Sequence, residues 1–129
     1  MENRYDRGFG KLKEIDGEAG EKIIAALDDI APDFARYVIE FPFGEIYPRP
    51  GLDLPTRELA TVAALTAMGT APGQLRVHIE GCLNVGCARQ QIVEVIMQMA
   101  IFAGFPAALN GLAAAKEVFA ARDKRGKAA

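Results

Sequence analysis

The chain has 129 residues, of which 50% are hydrophobic and 25% are charged, the balance of one folded domain of ordinary size. We therefore expect a single domain over residues 1–129. Its 15 basic and 17 acidic residues give a net charge of −2, so the basic excess that is typical of nucleic-acid-binding proteins is absent.

The sequence contains no pattern of a membrane span, a secretion signal or a metal site. The longest apolar run, Met99 to Leu109, is too short for a bilayer and carries Gly104 and Pro106. No charged leader with an apolar stretch opens the chain. Cys82 and Cys87 do not have the spacing of a disulfide framework or a zinc site, and the chain has one histidine. We expect a cytoplasmic protein with no metal and no membrane or nucleic-acid partner.

The first third of the chain predicts amphipathic helices. Hydrophobic spacing places them over residues 5–15, 18–30 and 32–41. Gly8 and Gly10 weaken the first of them. Pro32 suits the first turn of the third, and Pro42 and Gly44 should bend or stop it.

A segment rich in proline, glycine and aromatic residues follows, from Phe43 to Leu52. Its aromatic residues favour a structured loop over a linker between domains. It carries Glu45 and Arg49, charged side chains that a stiff loop can aim at a ligand. A salt bridge between these two residues is the simpler alternative.

The second half of the chain predicts further helices and a frayed tail. The helices are expected over residues 55–67, from Pro72 to a cap at Gly86, over residues 91–102 and over residues 106–121, and the basic tail over residues 120–129. No strand period persists, so the predicted fold class is all-α, with six or seven helices. The third of these helices is apolar nearly all round and the fourth is rich in alanine. Together they carry more apolar surface than one small protomer buries, so we expect a homo-oligomer.

His78 is the residue that most needs an explanation. On a helix it shares one face with Leu75, Ile79 and Cys82. It is either a core histidine held by one hydrogen bond or a general acid or base. Cys82 is either a small buried hydrophobic residue or a nucleophile beside its base.

The other charged candidates have ordinary structural explanations. Glu58 lies at the edge of the apolar stripe of its helix, in the first turn, where a carboxylate interacts favourably with the helix N-terminus. Arg57 and Arg76 are expected on helix surfaces, and Arg76 can pair with Glu80 four residues later. The residue pattern by itself supports an all-α oligomer with His78 as the candidate centre of a pocket.

A series of short motifs occurs in a set order over about residues 20–120. They are Phe43-Gly44-Glu45-Ile46-Tyr47, Arg49-Pro50-Gly51-Leu52, Thr56-Arg57-Glu58-Leu59, Leu75-Arg76-Val77-His78, Asn84-x-Gly86, Glu94-Val95 and Ala103-Gly104-x-Pro106-Ala107-Ala108. In order and spacing they resemble the carboxymuconolactone decarboxylase family, within the alkylhydroperoxidase D-like superfamily. Other members of that superfamily carry a Cys-x-x-Cys motif before the histidine. Here those positions are Ala71 and Gln74, so a dithiol peroxidase mechanism lacks its thiols.

The resemblance implies an alkylhydroperoxidase D-like helical protomer in a ring-shaped homo-oligomer, a hexamer built as a trimer of dimers. It implies cofactor-free decarboxylation of 4-carboxymuconolactone, a lactone dicarboxylate, or of a closely related carboxylactone in the degradation of aromatic compounds. The same resemblance makes Arg49 the residue that binds a substrate carboxylate. It places His78 at the lactone oxygen or as the proton donor, with Glu45 or Glu58 as its partner.

Other functions stay open at this point. One is a histidine-based lyase or isomerase that acts on another lactone or keto acid. Another is a non-catalytic oligomeric ligand-binding protein, and the last is a thiol oxidoreductase that acts through Cys82.

Overall fold

The computed structural model describes residues 2–126, and this part of the chain is all-α, with no strand. Its elements are α1 (Arg4–Ala25), α2 (Pro32–Val38), a π-helical segment (Ile39–Ile46), α3 (Leu54–Met68), α4 (Pro72–Asn84), α5 (Arg89–Ala103) and α6 (Phe105–Lys124). The predicted fold class and helix number are confirmed. None of the described helices combines the length and apolarity needed to cross a membrane.

The chain divides into two compact units, one up to Leu54 and one from Pro55 onward. The single domain predicted over residues 1–129 remains a prediction. In the first unit α1 is interrupted at Gly17, whose φ of 57° and ψ of −141° are not helical. The predicted helices over residues 5–15 and 18–30 are therefore one element with a break, and its helical part ends at Ala25 instead of residue 30.

The helix predicted to bend or stop at Pro42 and Gly44 continues through both residues as a π-helix. Pro42 lies inside the π-helical segment, which ends at Ile46. The backbone N–H of Tyr47 donates to the Pro42 carbonyl oxygen at 2.9 Å, a hydrogen bond that spans five residues. The expectation of a loop beginning at Phe43 is therefore wrong, because the wider turn tolerates a proline that would break an α-helix.

The π-helical segment packs closely against α1. This contact explains Gly8, which in the sequence pattern only lowers the helix propensity of the first predicted helix. A Cβ atom at Gly8 would overlap the carbonyl group of Ile39. A Cβ atom at Gly44 would lie 2.5 Å from the carbonyl oxygen of Arg4. The Nε of Arg7 donates to the Gly44 carbonyl oxygen at 2.7 Å, which fixes the crossing. Both glycines are required by close backbone approach.

In the second unit α4, α5 and α6 pack against one another, and α3 contributes Val62 to the same core. The buried core residues are Val62, Leu75, Ile79, Cys82, Leu83, Cys87, Ile92, Ile96, Ala114, Ala115 and Val118. Burial of these apolar side chains is the main favourable term for this unit. The apolar helix α5 buries Ile92 and Ile96, and its C-terminal end leaves Ile101 and Phe102 exposed.

The expected frayed tail is wrong for the start of residues 120–129. Helix α6 continues through Arg122, which is buried. Its Nη1 donates to Oε1 of Glu80 at 2.7 Å and to Oδ1 of Asn84 at 3.0 Å. Residues 127–129 of the predicted tail lie outside the described part of the chain.

The ion pair that helical spacing allows between Arg76 and Glu80 is replaced by pairs with other helices. Arg76 lies 3.6 Å from a carboxylate oxygen of Glu117, and Glu80 pairs with Arg122 and Arg125. Packing of α4 on α6 brings these partners together, and tertiary contacts replace the pairing along one helix.

Candidate active site

A histidine and a buried carboxylate meet between α3 and α4. The Nδ1 of His78 and the Oε1 of Glu58 are 3.0 Å apart, the distance of a hydrogen bond in which Nδ1–H donates to the carboxylate. The Glu58 side chain is fully buried, and that of His78 is 14% exposed. The structure therefore brings together two of the residues that the sequence nominates.

The buried position of Glu58 follows from the register of α3. Glu58, Val62 and Thr66 are spaced four residues apart and are the buried residues of that helix. Glu58 is thus part of the core-facing stripe, and its first-turn position alone gives no sign of this. Burial of a carboxylate is costly without partners. Within residues 2–126 its second oxygen, Oε2, has no hydrogen-bond partner, which is unusual for a purely structural carboxylate.

This arrangement is suited to proton transfer at the second ring nitrogen of His78. When Nδ1–H donates to Glu58, the tautomer and the ring orientation are fixed, and Nε2 is the atom that accepts or donates a proton. The carboxylate also stabilises the imidazolium that forms when Nε2 takes a proton. The pair can therefore work as a general acid or base whose charge is balanced in place.

The two remaining candidates lie in the first unit. Glu45 belongs to the π-helical segment, and its Oε1 lies 3.6 Å from Nη2 of Arg7. Arg49 is exposed in the turn that follows, where its backbone N–H donates to the Ile46 carbonyl oxygen at 3.1 Å. Of the two acidic residues proposed as partners of His78, Glu58 is the one that contacts it.

Both cysteines have the surroundings of inert thiols. Cys82 is 0% exposed and Cys87 is 3% exposed. Burial, with a smaller contribution from the hydrogen bond to Cys87, raises the pKa of the Cys82 thiol far above its ordinary range. Cys87 donates through Sγ to the Pro55 carbonyl oxygen at 3.5 Å. Since the thiolate is the reactive form, this setting favours the interpretation of Cys82 as a small buried hydrophobic residue.

We predict that the double substitution Cys82→Ala and Cys87→Ala leaves the activity of the His78 site largely in place. Loss of two buried sulfur atoms should lower the free energy of unfolding by about 1–3 kcal/mol, measured by chemical denaturation. Initial rates on the substrate class that the motif resemblance implies, compared with the parent at equal folded concentration, check the activity. A folded double variant with no activity would make Cys82 a nucleophile.

The comparisons with known proteins agree with the motif series. Residues 32–117 match the model of the carboxymuconolactone decarboxylase family. The chain is 35% identical to a 4-carboxymuconolactone decarboxylase of Acinetobacter baylyi over 92% of this chain and 88% of that protein. It is 36% identical to a 15.0 kDa protein of Paracoccus denitrificans, over 77% of this chain and 75% of that one.

A more distant relative is a nitrosuccinic acid decarboxylase of Metarhizium robertsii. The identity is 28%, over 84% of this chain and 76% of that protein. The resemblance seen in the short motifs is thereby confirmed. The chain belongs to the carboxymuconolactone decarboxylase family.

Proposed function

We propose that this protein is a carboxy-lyase that decarboxylates 4-carboxymuconolactone, or a closely related carboxylactone, without a cofactor. The observation that carries the proposal is the buried Glu58–His78 pair in a chain 35% identical to a 4-carboxymuconolactone decarboxylase. An imidazole hydrogen-bonded to a buried carboxylate is an arrangement suited to proton transfer.

The chemistry needs few groups because the substrate is its own electron sink. When the bond between the ring carbon and the carboxylate breaks, carbon dioxide leaves and the electron pair delocalises onto the conjugated lactone carbonyl. A donor at that carbonyl stabilises the dienolate, and a proton is then delivered to carbon. We assign the donor and acid role to the Nε2–H of protonated His78, whose Nδ1–H still donates to Glu58; it gives this proton to carbon and regains one from water. Glu58 acts as its positioning residue.

The product is the corresponding enol-lactone, and the pathway that contains this step is the degradation of aromatic compounds. Atoms balance with carbon dioxide as the leaving group and one proton taken up at carbon. Neither a metal nor an organic cofactor enters the scheme.

We assign Arg49 to a substrate carboxylate, because a guanidinium binds carboxylates through two parallel hydrogen bonds. Arg49→Met should chiefly raise KM, by roughly 10- to 100-fold, with a smaller change in kcat. Steady-state kinetics on the carboxylactone measure both constants. Arg36→Met, which removes another exposed arginine of the first unit, is the matched control and should leave KM unchanged. Equal KM values for both variants would remove Arg49 from the site.

We further propose that the protein assembles as a ring-shaped hexamer, a trimer of dimers. Support comes from the end of α5 and the start of α6, where large apolar side chains face solvent in the single chain. Exposed fractions are 75% for Ile101, 82% for Phe102, 74% for Phe105 and 61% for Leu109. Apolar surface of this kind usually marks an interface. Light scattering at micromolar concentration should report the molar mass of a hexamer. The substitution Phe102→Asp should lower the molar mass of the assembly measured in the same way. A monomer for the parent protein would contradict this assembly.

A second candidate substrate is supported by one comparison. Because a relative acts as a nitrosuccinic acid decarboxylase, the same site could serve another activated carboxylic acid. Carbon dioxide release from 4-carboxymuconolactone and from nitrosuccinate, measured side by side, separates the two candidates.

The direct test of the proposed function is an ultraviolet assay. The purified protein is mixed with freshly made 4-carboxymuconolactone, and absorbance and carbon dioxide are followed together. We expect loss of substrate absorbance with one equivalent of carbon dioxide released, and no change with heat-denatured protein. Release from neither substrate at high enzyme concentration would overturn the proposed function.

A further inference from the structure

The large apolar side chains on the surface of the described chain fall into two main groups. One is the group at the end of α5 and the start of α6, on which the proposed hexamer rests. The other lies in the first unit and consists of Ile30, Phe34, Tyr37 and Phe41, each of which is more than half exposed. We call this second group the α2 face, because Phe34 and Tyr37 lie on α2 and the other two residues flank that helix.

Helix α2 turns its aromatic side chains to solvent and buries a small one. Ala35 is the buried residue of this helix, whereas Phe34 and Tyr37 are exposed. These two aromatic residues are three positions apart, so their side chains are neighbours on one side of the helix. A helix that packs only within its own chain buries its large apolar residues. The reverse order in α2 indicates that its aromatic side is covered from outside the chain.

The area of the α2 face is sufficient for a specific contact between proteins. A large aromatic side chain buries about 150–250 Å² when it is fully covered. At the observed exposure, the four side chains together present on the order of 400–500 Å² of apolar surface in each copy. Two such faces in contact, with the polar residues at their rim, reach about 1,000 Å², the area expected of a specific interface.

The charges beside the α2 face fit a second copy of the same face. Asp33 and Arg36 are exposed on α2, three residues apart. About a two-fold axis perpendicular to the helix, two copies of α2 run antiparallel, and Asp33 of each copy meets the end of the helix that carries Arg36 in the other. Arg36 keeps further donors for this contact beside its ion pair with Glu40 at 3.4 Å. A face with one charge of each sign is therefore complementary to itself.

We infer that the α2 face forms the two-fold contact of the assembly, in which it covers the α2 face of a second copy. This inference rests on the proposed hexamer, because a trimer of dimers needs one contact about a two-fold axis and another about a three-fold axis. The group at the end of α5 and the start of α6 then supplies the three-fold contact.

Light scattering on variants with added charge tests this assignment. Phe34→Asp combined with Tyr37→Asp should break the two-fold contact and lower the molar mass from that of a hexamer to that of a trimer. Phe102→Asp changes the three-fold contact and should instead give a dimer, and the three substitutions together should give a monomer. Since Phe34 and Tyr37 are more than half exposed, their variants should keep the circular dichroism spectrum of the parent.

Met68→Asp is the matched control. Met68 is also more than half exposed, but it lies at the end of α3 and belongs to neither group, so this variant should stay a hexamer. A milder pair of substitutions, Phe34→Ser with Tyr37→Ser, adds no charge. It should raise the protein concentration at which hexamers dissociate into trimers by about a hundredfold or more.

Three results would overturn the inference and leave the proposed hexamer in place. They are an unchanged hexamer in the variant that carries both aspartates on α2, a dimer in place of the trimer, and an equal loss of mass in Met68→Asp. A monomeric parent would overturn both the α2 contact and the hexamer. Because the masses are measured without substrate, they do not depend on decarboxylation of 4-carboxymuconolactone.

Discussion

Replacing His78 by glutamine is expected to leave the protein folded and to lower kcat for carboxylactone decarboxylation by about a hundredfold or more. Glutamine can occupy a similar volume and hydrogen-bond to Glu58, but it cannot carry a proton to the substrate. Since substrate binding is assigned to Arg49, KM should change less than kcat. Stopped-flow or steady-state absorbance measurements give both constants.

The fold of this variant is checked by circular dichroism and thermal melting against the parent. His78 is 14% exposed, so the substitution is not made in a sealed part of the core. Parent-like kcat in folded His78→Gln would leave His78 as a core histidine satisfied by one hydrogen bond, and the proposed site would be wrong.

The largest expected effect on stability comes from Glu80. Its Oε1 accepts from Nη1 of Arg122 at 2.7 Å and from Nη2 of Arg125 at 2.6 Å. Arg122 is 5% exposed, so Glu80→Gln leaves a buried guanidinium without its counter-charge. We expect the free energy of unfolding to fall by about 2–3 kcal/mol, measured by urea denaturation.

Asp123→Asn provides the matched control for Glu80→Gln. It also removes one carboxylate partner of an arginine, since Arg89 and Asp123 form a hydrogen-bonded pair at 2.7 Å. This pair lies at the surface, where water replaces the lost contact, so the change in stability should be much smaller. Equal losses in the two variants would show that burial of Arg122 does not set the cost.

Much of the helical architecture could be predicted because its start and stop signals are local. Pro72 begins α4 as expected, and Gly17 marks the break in α1. The π-helical segment could not be predicted in the same way. The rule that proline ends an α-helix is correct for an α-helix, but a turn with five-residue hydrogen bonds follows another geometry.

One residue of the candidate site could be identified from the sequence, but its contact with its partner could not. His78 stands out in the sequence because it is the single histidine and lies on an apolar face. Its partner Glu58 is 20 residues away, and only the tertiary structure brings the two side chains to 3.0 Å. The spacing of Glu58, Val62 and Thr66 was the available signal, since it places the carboxylate on the buried stripe.

The ion pairs of the charged residues of α4 also could not be predicted from helical spacing. A rule for pairs within one helix selects Arg76 and Glu80, whereas the partner of Glu80 is Arg122, 42 residues later. Long-range pairs depend on how helices pack, which helical spacing does not specify.

The measurement that most directly tests the dyad is carbon dioxide release from 4-carboxymuconolactone by four proteins: the parent, Glu58→Gln, His78→Gln and the double variant. The parent should release one equivalent of carbon dioxide rapidly, and Glu58→Gln should release it about tenfold more slowly or slower still. Because Glu58 is proposed to act through His78, the double variant should be no slower than His78→Gln. A parent that releases no carbon dioxide, or losses in the two single variants that simply multiply in the double variant, would contradict a catalytic Glu58–His78 pair.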